Sequence, residues 1–420
     1  MGRNLLVVGC GIVGLTTALE LLRRGEHVTL VDAADHEGLA TSFANGGLLT
    51  PSMSDPWNSP GVHRHILEYL TSSSAAIRVR LRALPSLVGW GQKFLSNSRT
   101  APYRTATLAN LELAQYSLGA LDEIRQHYSF AFDFSDRGAL KFFRKNDALD
   151  ASLAMTRFLE QHGLKVEIVD RDGAVKAEPC LASVREQIAG AIYYPRDASG
   201  DAYLFCQEAA RTIAALGGTF HYGQEVLAIE VRNGQAVGVR LAAGVILADQ
   251  VIIAAGVMSP ALTSRLGFNL AIKPVKGYSM TYALAASRAK PVIPVIDDAY
   301  HVGITPLGSR LRVAGTAEFA GLDTRLDKRR TRNLSRFFKA IYPEIASDAV
   351  LATGKPWAGL RPVAADGRPY IGPSPVPGLW VNCGHGHLGW TLAAGSARLL
   401  ADLMRGAQPE VDAAPFLPTR

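Results

Sequence analysis

A glycine-rich turn near the start of the chain constrains the fold more than any other feature of the sequence. The apolar run Asn4–Val8 precedes the turn, residues 12–24 follow with helical periodicity, and residues 27–32 are apolar again. This pattern predicts a strand, a helix and a second strand, the unit that opens a parallel sheet. The turn consists of Gly9, Cys10, Gly11, Ile12, Val13 and Gly14.

Each glycine of this motif has its own physical task. Gly9 permits the tight turn, Gly11 lets the backbone approach a diphosphate, and Gly14 lets the helix pack closely on the strand. The diphosphate would bind free N–H groups at the positive end of the helix dipole. Asp32 ends the second predicted strand, where a carboxylate can accept hydrogen bonds from both ribose hydroxyls, and Ala33 follows it. The unit predicts a dinucleotide site, and FAD and NAD both fit it.

Two later segments favour FAD. The first comes shortly after the second strand and contains Thr41, Ser42, Phe43, Ala44, Asn45, Gly46, Gly47 and Leu48. The second leads into the last predicted helix and contains Gly384, His385, Gly386, His387, Leu388, Gly389, Trp390 and Thr391. The N–H groups at the start of this last helix can stabilise negative charge on a reduced flavin ring. We also expect cofactor contacts from Val226, Ala255 and Gly256.

The rest of the pattern predicts two domains. The pattern of the first residues, in which apolar runs typical of buried strands alternate with helical periodicity, recurs near residues 200–256 and at the end. There the apolar run Leu379–Cys383 precedes a helix at residues 390–404. The middle differs, with a helix-rich stretch at residues 59–128, a charged helix at 323–342, and alternating strands at 275–284, 301–305 and 310–317. We predict an α/β chain, α+β overall, with a Rossmann-like FAD domain and an inserted antiparallel-sheet substrate domain. The FAD domain takes residues 1–62, 199–257 and 357–420, and the substrate domain takes residues 63–198 and 258–356.

Composition and charge exclude several classes of protein. No apolar run reaches the 18 or so residues that span a bilayer, and the apolar stretch at residues 5–15 is broken by glycines, unlike a signal peptide. The four cysteines lie far apart, which argues against a disulfide framework or a zinc site and fits a reducing cytosol. The net charge of +7 suits anionic substrates or an anionic membrane surface. We expect a cytoplasmic protein with no metal ion and no nucleic-acid partner.

Five segments, in one order and over nearly the whole chain, carry a family resemblance. They are VVGCGIVGLTTALELLRRGEHVTLVD, TSFANGGLLTPSMSDPW, PVKGYSMT, WAGLRPVAADGRPYIG and NCGHGHLGWTLAAGSARLLADLM. The sequence resembles the FAD-dependent D-amino acid oxidase superfamily and, within it, the bacterial D-amino acid dehydrogenases of the small-subunit type. The resemblance implies an FAD domain of the glutathione-reductase type and a substrate domain whose antiparallel sheet covers the flavin.

Two positions depart from relatives. The TSFANxG segment of the dehydrogenases usually continues with Gln, where this chain has Leu48, so substrate choice or flavin tuning can differ. Relatives with covalent flavin attach it through a Cys close to the segment that matches residues 359–361. Here the nearest cysteine is Cys383, on the following strand, so we expect non-covalently bound FAD.

The resemblance also implies candidate catalytic residues. Arg361, in the GLRP motif, is expected to pair with a substrate carboxylate through its planar guanidinium; a bond to a backbone carbonyl is the alternative. Tyr278 can present its hydroxyl to the substrate or can be a core tyrosine. His387 can line the active site, or the loop can require it only for shape. Tyr300 and His301 are further active-site candidates.

These residues lead to one expected reaction and several alternatives. Hydride would pass from Cα of a D-amino acid to flavin N5, and the imino acid would hydrolyse to a 2-oxo acid and ammonia. A D-proline or hydroxyproline dehydrogenase and a glycine- or sarcosine-type oxidase fit the same residues, and a non-catalytic subunit of a larger dehydrogenase is the alternative from another class. The sequence leaves open the preferred side chain and the oligomeric state.

The electron acceptor is expected to be a membrane quinone, with oxygen as the alternative. Peripheral contact with the inner face of the bacterial inner membrane is suggested by the basic, Trp-containing residues 77–94, which a pair of surface helices would also explain. Residues 323–339 carry seven Lys or Arg against two Asp; a solvated helix face is the favoured explanation, and contact with an anionic membrane or partner is the alternative.

Overall fold

The computed structural model describes residues 2–65, 77–285, 287 and 289–420. Its helices are α1 (Ile12–Arg23), α2 (Leu84–Ser96), α3 (Thr100–Tyr128), α4 (Asn146–Gln161), α5 (Arg171–Ala177), α6 (Ala202–Ala215), α7 (Ser259–Ser264), α8 (Lys328–Ile341), α9 (Asp348–Ala352) and α10 (Gly389–Arg405). Its strands are β1 (Asn4–Val8), β2 (His27–Val31), β3 (Leu48–Leu49), β4 (Ile77–Val79), β5 (Ala139–Phe143), β6 (Glu167–Val169), β7 (Gly190–Tyr194), β8 (Ala198–Ser199), β9 (Thr219–His221), β10 (Ala228–Arg232), β11 (Gln235–Leu241), β12 (Gly244–Leu247), β13 (Gln250–Ile253), β14 (Ile272–Ala283), β15 (Val295–Asp297), β16 (Val302–Leu307), β17 (Arg310–Phe319), β18 (Lys355–Ala364), β19 (Tyr370–Pro373) and β20 (Leu379–Cys383).

The first sheet has six strands in the order β19-β20-β13-β1-β2-β9. Strand β1 pairs in parallel with both β2 and β13, and only β19 runs antiparallel to its neighbour. The apolar run of β1 is buried on both faces of the sheet. One face packs into a core with α1, α6 and α10, and the other packs into a core with β10 and β11. A strand covered on both faces needs a continuous apolar sequence, which is why LLVV follows Asn4.

The second sheet has nine strands, in the order β18-β14-β17-β16-β15-β5-β7-β6, with β4 beside β17. Most of its pairs are antiparallel, and helix α8 covers one face through Leu334, Phe338 and Ile341. The other face lies over residues 44–46, because Ser279, Thr305 and Arg312 each donate a hydrogen bond of 2.7 Å to a backbone carbonyl of that loop. The two sheets therefore enclose a space between them.

The expected fold class is confirmed, and several elements have their predicted bounds. Strands β1 and β20 begin and end where the sequence places them, and α10 extends the prediction by one residue at each end. The charged helix begins only at Lys328, because the Asp327 carboxylate caps it by accepting from the Arg329 N–H.

The domain boundaries stay a prediction. Helix α3, within the predicted substrate domain, packs against α10, where the Gly395 N–H donates to Ser117 Oγ at 2.9 Å. Helices α2 and α3 lie in the predicted helix-rich stretch, and its residues 66–76 fall outside the described residues.

Candidate active site

The turn after β1 can be made only by glycine. Gly9 has φ +112°, and a Cβ there would lie 2.6 Å from the Ala254 carbonyl oxygen. A Cβ on Gly14 would lie 1.8 Å from the Gly9 carbonyl oxygen, so only glycine lets α1 start this close to β1. A Cβ on Gly11 would meet only Ser42 Oγ, at 3.6 Å, and would otherwise fill open space in front of the helix start. The first turn of α1 contains no acidic residue, and its N–H groups have no intrahelical acceptors, so an anion fits here.

The carboxylate of Asp32 is fixed at the end of β2. Its Oδ2 accepts from the Cys10 N–H at 2.5 Å, and its Oδ1 accepts from the Ala34 N–H at 2.8 Å. Each carboxylate oxygen can accept a further hydrogen bond. This geometry suits two ribose hydroxyls.

A cavity of about 2070 Å³ extends from this turn to the second sheet. This is about twice the upper end of the range of roughly 300–1,000 Å³ that is usual for a small-molecule site, so it can hold a dinucleotide and a second ligand. Of the predicted cofactor residues, those in its wall are Gly9, Gly11, Ile12, Val13, Asp32, Ala33, Thr41, Ser42, Asn45, Gly46, Gly47, Leu48, Val226, Ala255, Gly256, Gly386, His387, Gly389 and Trp390. The residues present thus fit FAD.

Three predicted cofactor residues lie behind the cavity wall. Gly14 sets the contact between α1 and β1, Leu388 is buried as the residue before α10, and Thr391 Oγ1 accepts from the Thr50 N–H at 3.1 Å. Leu48 begins the short strand β3 and pairs with Ser199. It lines the cavity with an apolar side chain.

The loop at residues 41–47 connects the two sheets. Ser42 Oγ accepts from the Ile12 N–H at 3.0 Å, and Thr41 Oγ1 donates to the Leu360 carbonyl at 2.7 Å. Asn45 Oδ1 accepts from the Gly47 N–H at 3.0 Å and thereby holds the turn. The loop spans the distance between the helix start and strand β18, which carries Arg361.

Arg361, on strand β18 of the second sheet, lies in the cavity wall. Its Nη1 donates to the Thr316 carbonyl at 3.1 Å, and its Cζ lies 5.5 Å from the centre of the Trp57 ring. Thr316 has the unusual φ of +62°, which is strained for a β-branched residue. No carboxylate among the described residues forms an ion pair with Arg361. Burial lowers the pKa of Arg361 to about 10, so the guanidinium remains charged at neutral pH and can pair with an anion.

His387 and Trp57 continue the wall beside Arg361. The two rings stack with 5.4 Å between centres and 14° between planes. His387 Nε2 donates to the Met53 carbonyl at 3.0 Å, and burial lowers the pKa of the ring, so the imidazole is neutral with Nδ1 as its acceptor. Arg361 and His387 therefore pack against the same tryptophan.

The turn Pro51–Met53, which supplies this carbonyl, is held by a buried acid. Both the N–H and the hydroxyl of Ser52 donate to Asp197, at 3.2 and 2.5 Å. Burial raises the pKa of Asp197 to about 7. His385 is also buried, with Nε2 3.1 Å from Ser396 Oγ, and burial lowers its pKa to about 3. It holds the loop before α10 as a neutral side chain.

Tyr278 lies on the face of β14 opposite to Ser279. Its ring packs in the core beneath α8, and its hydroxyl donates to Glu318 Oε2 at 2.7 Å. Lys276 Nζ lies 3.4 Å from the same oxygen, and Arg80 binds the other carboxylate oxygen. The only hydroxyl proton of Tyr278 is thus committed to Glu318, and toward any other ligand the oxygen is an acceptor. The expected substrate contact of Tyr278 stays a prediction.

Tyr300, His301 and Cys383 all line the cavity. Tyr300 stacks on Phe337 of α8, which also lines the cavity, with 4.7 Å between ring centres. Cys383 lines the cavity, and burial raises the pKa of its thiol to about 12, so the thiol is protonated and a poor nucleophile. Across the described ranges, no three His, Cys, Asp or Glu side chains converge as metal ligands.

Sequence reasoning missed several parts of the site. Trp57 belongs to the recognised SMSDPW segment, but nothing in the spacing indicates that it contacts Arg361. Thr316 and Met53 contribute carbonyl groups, which no side-chain pattern can signal. Arg330, in the helix expected to be solvated, is buried and lines the cavity; its spacing to Leu334 and Phe338 on the same apolar stripe was the available signal.

Comparisons with known proteins agree with this architecture. Residues 4–403 match the family described as DAO, FAD dependent oxidoreductase. The chain is 39% identical over 410 residues to a D-amino acid dehydrogenase of Sinorhizobium medicae, covering 98% of each protein. It is 40% identical over 409 residues to a D-amino acid dehydrogenase of Methylobacterium nodulans, covering 97% of this chain and 96% of that protein.

Solved structures share the fold. The glycine oxidase of Geobacillus kaustophilus superposes with a TM-score of 0.77 at 24% identity, covering 100% of this chain and 99% of that one. The L-proline dehydrogenase of P. horikoshii superposes with a TM-score of 0.77 at 18% identity, covering 100% and 97%. The matched family spans both sheets and every segment of the cavity wall described above. The chain therefore belongs to the DAO family of FAD-dependent oxidoreductases.

Proposed function

We propose that this enzyme oxidises D-amino acids to 2-oxo acids and ammonia. The observation that carries the proposal is the charged guanidinium of Arg361, which lies in a large cavity without a carboxylate partner among the described residues. A half-buried cation that lines a cavity fits a ligand with a carboxylate. The names of the relatives at 39–40% identity supply the substrate class.

FAD would be held by the turn at Gly9, Gly11 and Gly14, by Asp32, and by the loop and helix starts that line the cavity. When bound, FAD supplies the acceptor for hydride from the substrate Cα. The N–H groups at the start of α10 would face the reduced ring and stabilise its charge. The protonated thiol of Cys383 supports a non-covalent cofactor.

The chain's own contribution to the reaction is positioning. Arg361 would bind the substrate carboxylate with one edge of its guanidinium, while Trp57 and the Thr316 carbonyl fix the other contacts of that group. The neutral ring of His387 would offer an acceptor in the same wall. The amine needs no dedicated base, since a substrate that binds with a neutral amine leaves its nitrogen lone pair free to assist the loss of hydride.

Arg361 provides the direct test. Arg361→Ala leaves a bound carboxylate unpaired in a partly dehydrated site, and we expect a loss of about 2–5 kcal/mol, or roughly 30- to several-thousand-fold in kcat/KM. Arg361→Lys should recover only part of the loss, because an ammonium lacks the planar two-pronged contact. FAD content should change little.

The control is a substrate without the carboxylate. We would compare a D-amino acid with its decarboxylated amine in the parent and in both variants, following anaerobic bleaching of the flavin. An equal loss with both compounds would mean that Arg361 supports the fold and that the carboxylate binds elsewhere. Bleaching by L-amino acids, glycine or D-proline in preference to other D-amino acids would select one of the alternative activities.

We further propose a membrane quinone as the electron acceptor and a peripheral contact with the membrane. No helix within the described part of the chain is both long and apolar enough to cross a bilayer. The support is the surplus of basic residues, +7 in all, and the basic, apolar segment from residue 77 onward. Oxygen consumption equal to substrate turnover, with no reduction of a short-chain quinone, would identify an oxidase instead.

A further inference from the structure

Helix α2 exposes an apolar stripe that no described part of the chain covers. Leu84, Val88 and Leu95 lie on one face, at spacings of four and seven residues, and all three are exposed, with Val88 at 62%. Just before the helix, Leu81 is 73% exposed. On the opposite face of α2, Trp90 packs against the second sheet. Large exposed apolar side chains grouped in this way indicate an interaction surface.

The loop after β17 extends this surface. Leu322, 58% exposed, and Leu326 lie there. An ion pair between Arg82 and Asp323 joins the loop to the residues before α2, and Arg80 also binds Asp327 from the same loop, at 3.3 Å. The two segments are therefore neighbours held in a fixed relation. We call Leu81, Leu84, Val88, Leu95, Leu322 and Leu326 the apolar surface.

The charge around the apolar surface is mainly basic. Residues 77–99 contain five basic side chains and no acidic one. The loop after β17 adds two acids, Asp323 and Asp327, which pair with Arg82 and Arg80, and among the described residues Lys93 has no ion-pair partner. Apolar side chains surrounded by basic residues fit the interface of an anionic bilayer, where the side chains enter the headgroup region and the cations meet lipid phosphates. A second copy of this chain would bring like charges together, so the charges disfavour a dimer through this surface.

The apolar surface is connected to the cavity by strand β4. Ile77 pairs with Ala317 of β17, and both residues line the cavity. Three residues further along, the same segment reaches Arg80, whose contact with Glu318 fixes it on the sheet. A bilayer that bound the apolar surface would lie beside the edge of the sheet that forms the cavity wall.

We propose that the apolar surface docks on anionic lipid bilayers and brings this edge of the cavity toward the membrane. The proposal deepens the peripheral contact proposed above and rests on it. The lipid-facing side chains are Leu81, Leu84, Val88 and Leu95 of the α2 region and Leu322 and Leu326 of the loop. An acceptor dissolved in the bilayer then has a short path to the cavity.

The test is vesicle binding by the FAD-loaded enzyme without substrate. Vesicles of phosphatidylcholine with about 30% phosphatidylglycerol would be compared with pure phosphatidylcholine by flotation, at low and high salt. Leu81→Glu combined with Val88→Glu should weaken binding to the anionic vesicles at least tenfold, because each side chain loses apolar transfer and gains repulsion. The matched control is Val245→Glu combined with Leu247→Glu on β12, where both residues are also exposed. It should bind like the parent.

Several results would overturn the proposal. They are failure of the parent to bind anionic vesicles at low salt, equal binding of the Leu81/Val88 variant and the parent, and equal loss in the β12 control. A change in oligomeric state of the Leu81/Val88 variant without lipid would identify a second copy as the occupant. Bleaching of the flavin by a D-amino acid in solution is measured on the same proteins. Bleaching without vesicle binding by the parent refutes the membrane contact and the surface but not the activity, and vesicle binding without bleaching refutes only the activity. Equal vesicle binding of the parent and the Leu81/Val88 variant refutes only the surface.

Discussion

Gly277→Ala tests the placement of Arg361 without removing its charge. The two residues lie on adjacent strands, where Gly277 pairs with Gly359 and Val275 pairs with Arg361. A Cβ at Gly277 would lie 2.3 Å from Nη1 and 2.5 Å from Cζ of Arg361. The backbone of Gly277 lies outside the left-handed region, so the strand itself accepts alanine. The three atoms nearest to the added methyl all belong to the guanidinium of Arg361, so the methyl acts first on that group.

The size of the effect follows from these distances. Ordinary contact with a Cβ begins at 3.4 Å, so Nη1 must withdraw by about 1.1 Å (3.4 minus 2.3). A misplacement of about 1 Å in a positioning group costs on the order of a hundredfold in rate, or about 2.7 kcal/mol. We expect kcat/KM for a D-amino acid to fall about 30- to 100-fold, with turnover of the decarboxylated amine nearly unchanged. Arg361→Ala should lose at least as much.

The assay combines kinetics with binding of benzoate, a carboxylate followed through its perturbation of the flavin spectrum. Benzoate should bind more weakly to Gly277→Ala than to the parent, and thermal unfolding should be similar. The control is Gly119→Ala within α3, where a Cβ meets nothing within 4 Å. It should stabilise the helix by up to about 1 kcal/mol and leave kinetics unchanged. Parent-like kcat/KM and benzoate affinity in Gly277→Ala would refute the role of Arg361 as the anchor in this position.

Three further predictions concern the cofactor and a buried acid. Asp32→Ala should weaken FAD retention far more than it slows flavin reduction in the reconstituted enzyme, since the two ribose bonds it loses contribute roughly 1.5–3 kcal/mol each; equal retention by dialysis would contradict the assigned ribose contact. Acid or heat should release all the flavin, and fluorescence left on the denatured protein band would show a covalent bond. Because burial raises the pKa of Asp197 to about 7 from 3.8, the folded state binds this proton more tightly than the unfolded state, and the contribution is complete below pH 4 and lost as pH rises toward 7. Asp197→Asn should flatten the dependence of Tm on pH in that window, and parallel curves for parent and variant would exclude this acid as the cause.

Local patterns determined much of the fold from the sequence. The first β-α-β unit could be placed because three glycines with distinct steric tasks stand between an apolar run and a helical repeat. The charged helix could be predicted, but not its start, because Asp327 rather than Asp323 is the capping residue. The periodicity of apolar residues and the capping of helices depend on residues that are close in the sequence. Features of this kind can therefore be predicted from the sequence alone.

The missing parts of the site depend on contacts between distant segments. Tyr278 was an open candidate because the sequence of a strand does not say which face meets the ligand, and the register shift between Lys276 and Tyr278 adds to the ambiguity. Trp57 and His387 are 330 residues apart, and their stacking follows only from the assembled sheets. The Thr316 carbonyl contributes through a backbone conformation that its side chain disfavours.

The strand order of the first sheet has a consequence for synthesis on the ribosome. Strand β1 is made long before its neighbour β13, which ends at residue 253, and before the outer strand β20, which ends at residue 383. Helix α10, against which α1 packs, follows β20, and the Thr16 hydroxyl donates to the Ala393 carbonyl at 3.1 Å. At about 5–20 residues per second, translation from the start of β1 to the end of α10 at Arg405 takes roughly 20–80 s. During that time the edge of β1 that pairs with β13 is without its final partner, so nascent chains should depend on chaperones until α10 has left the exit tunnel.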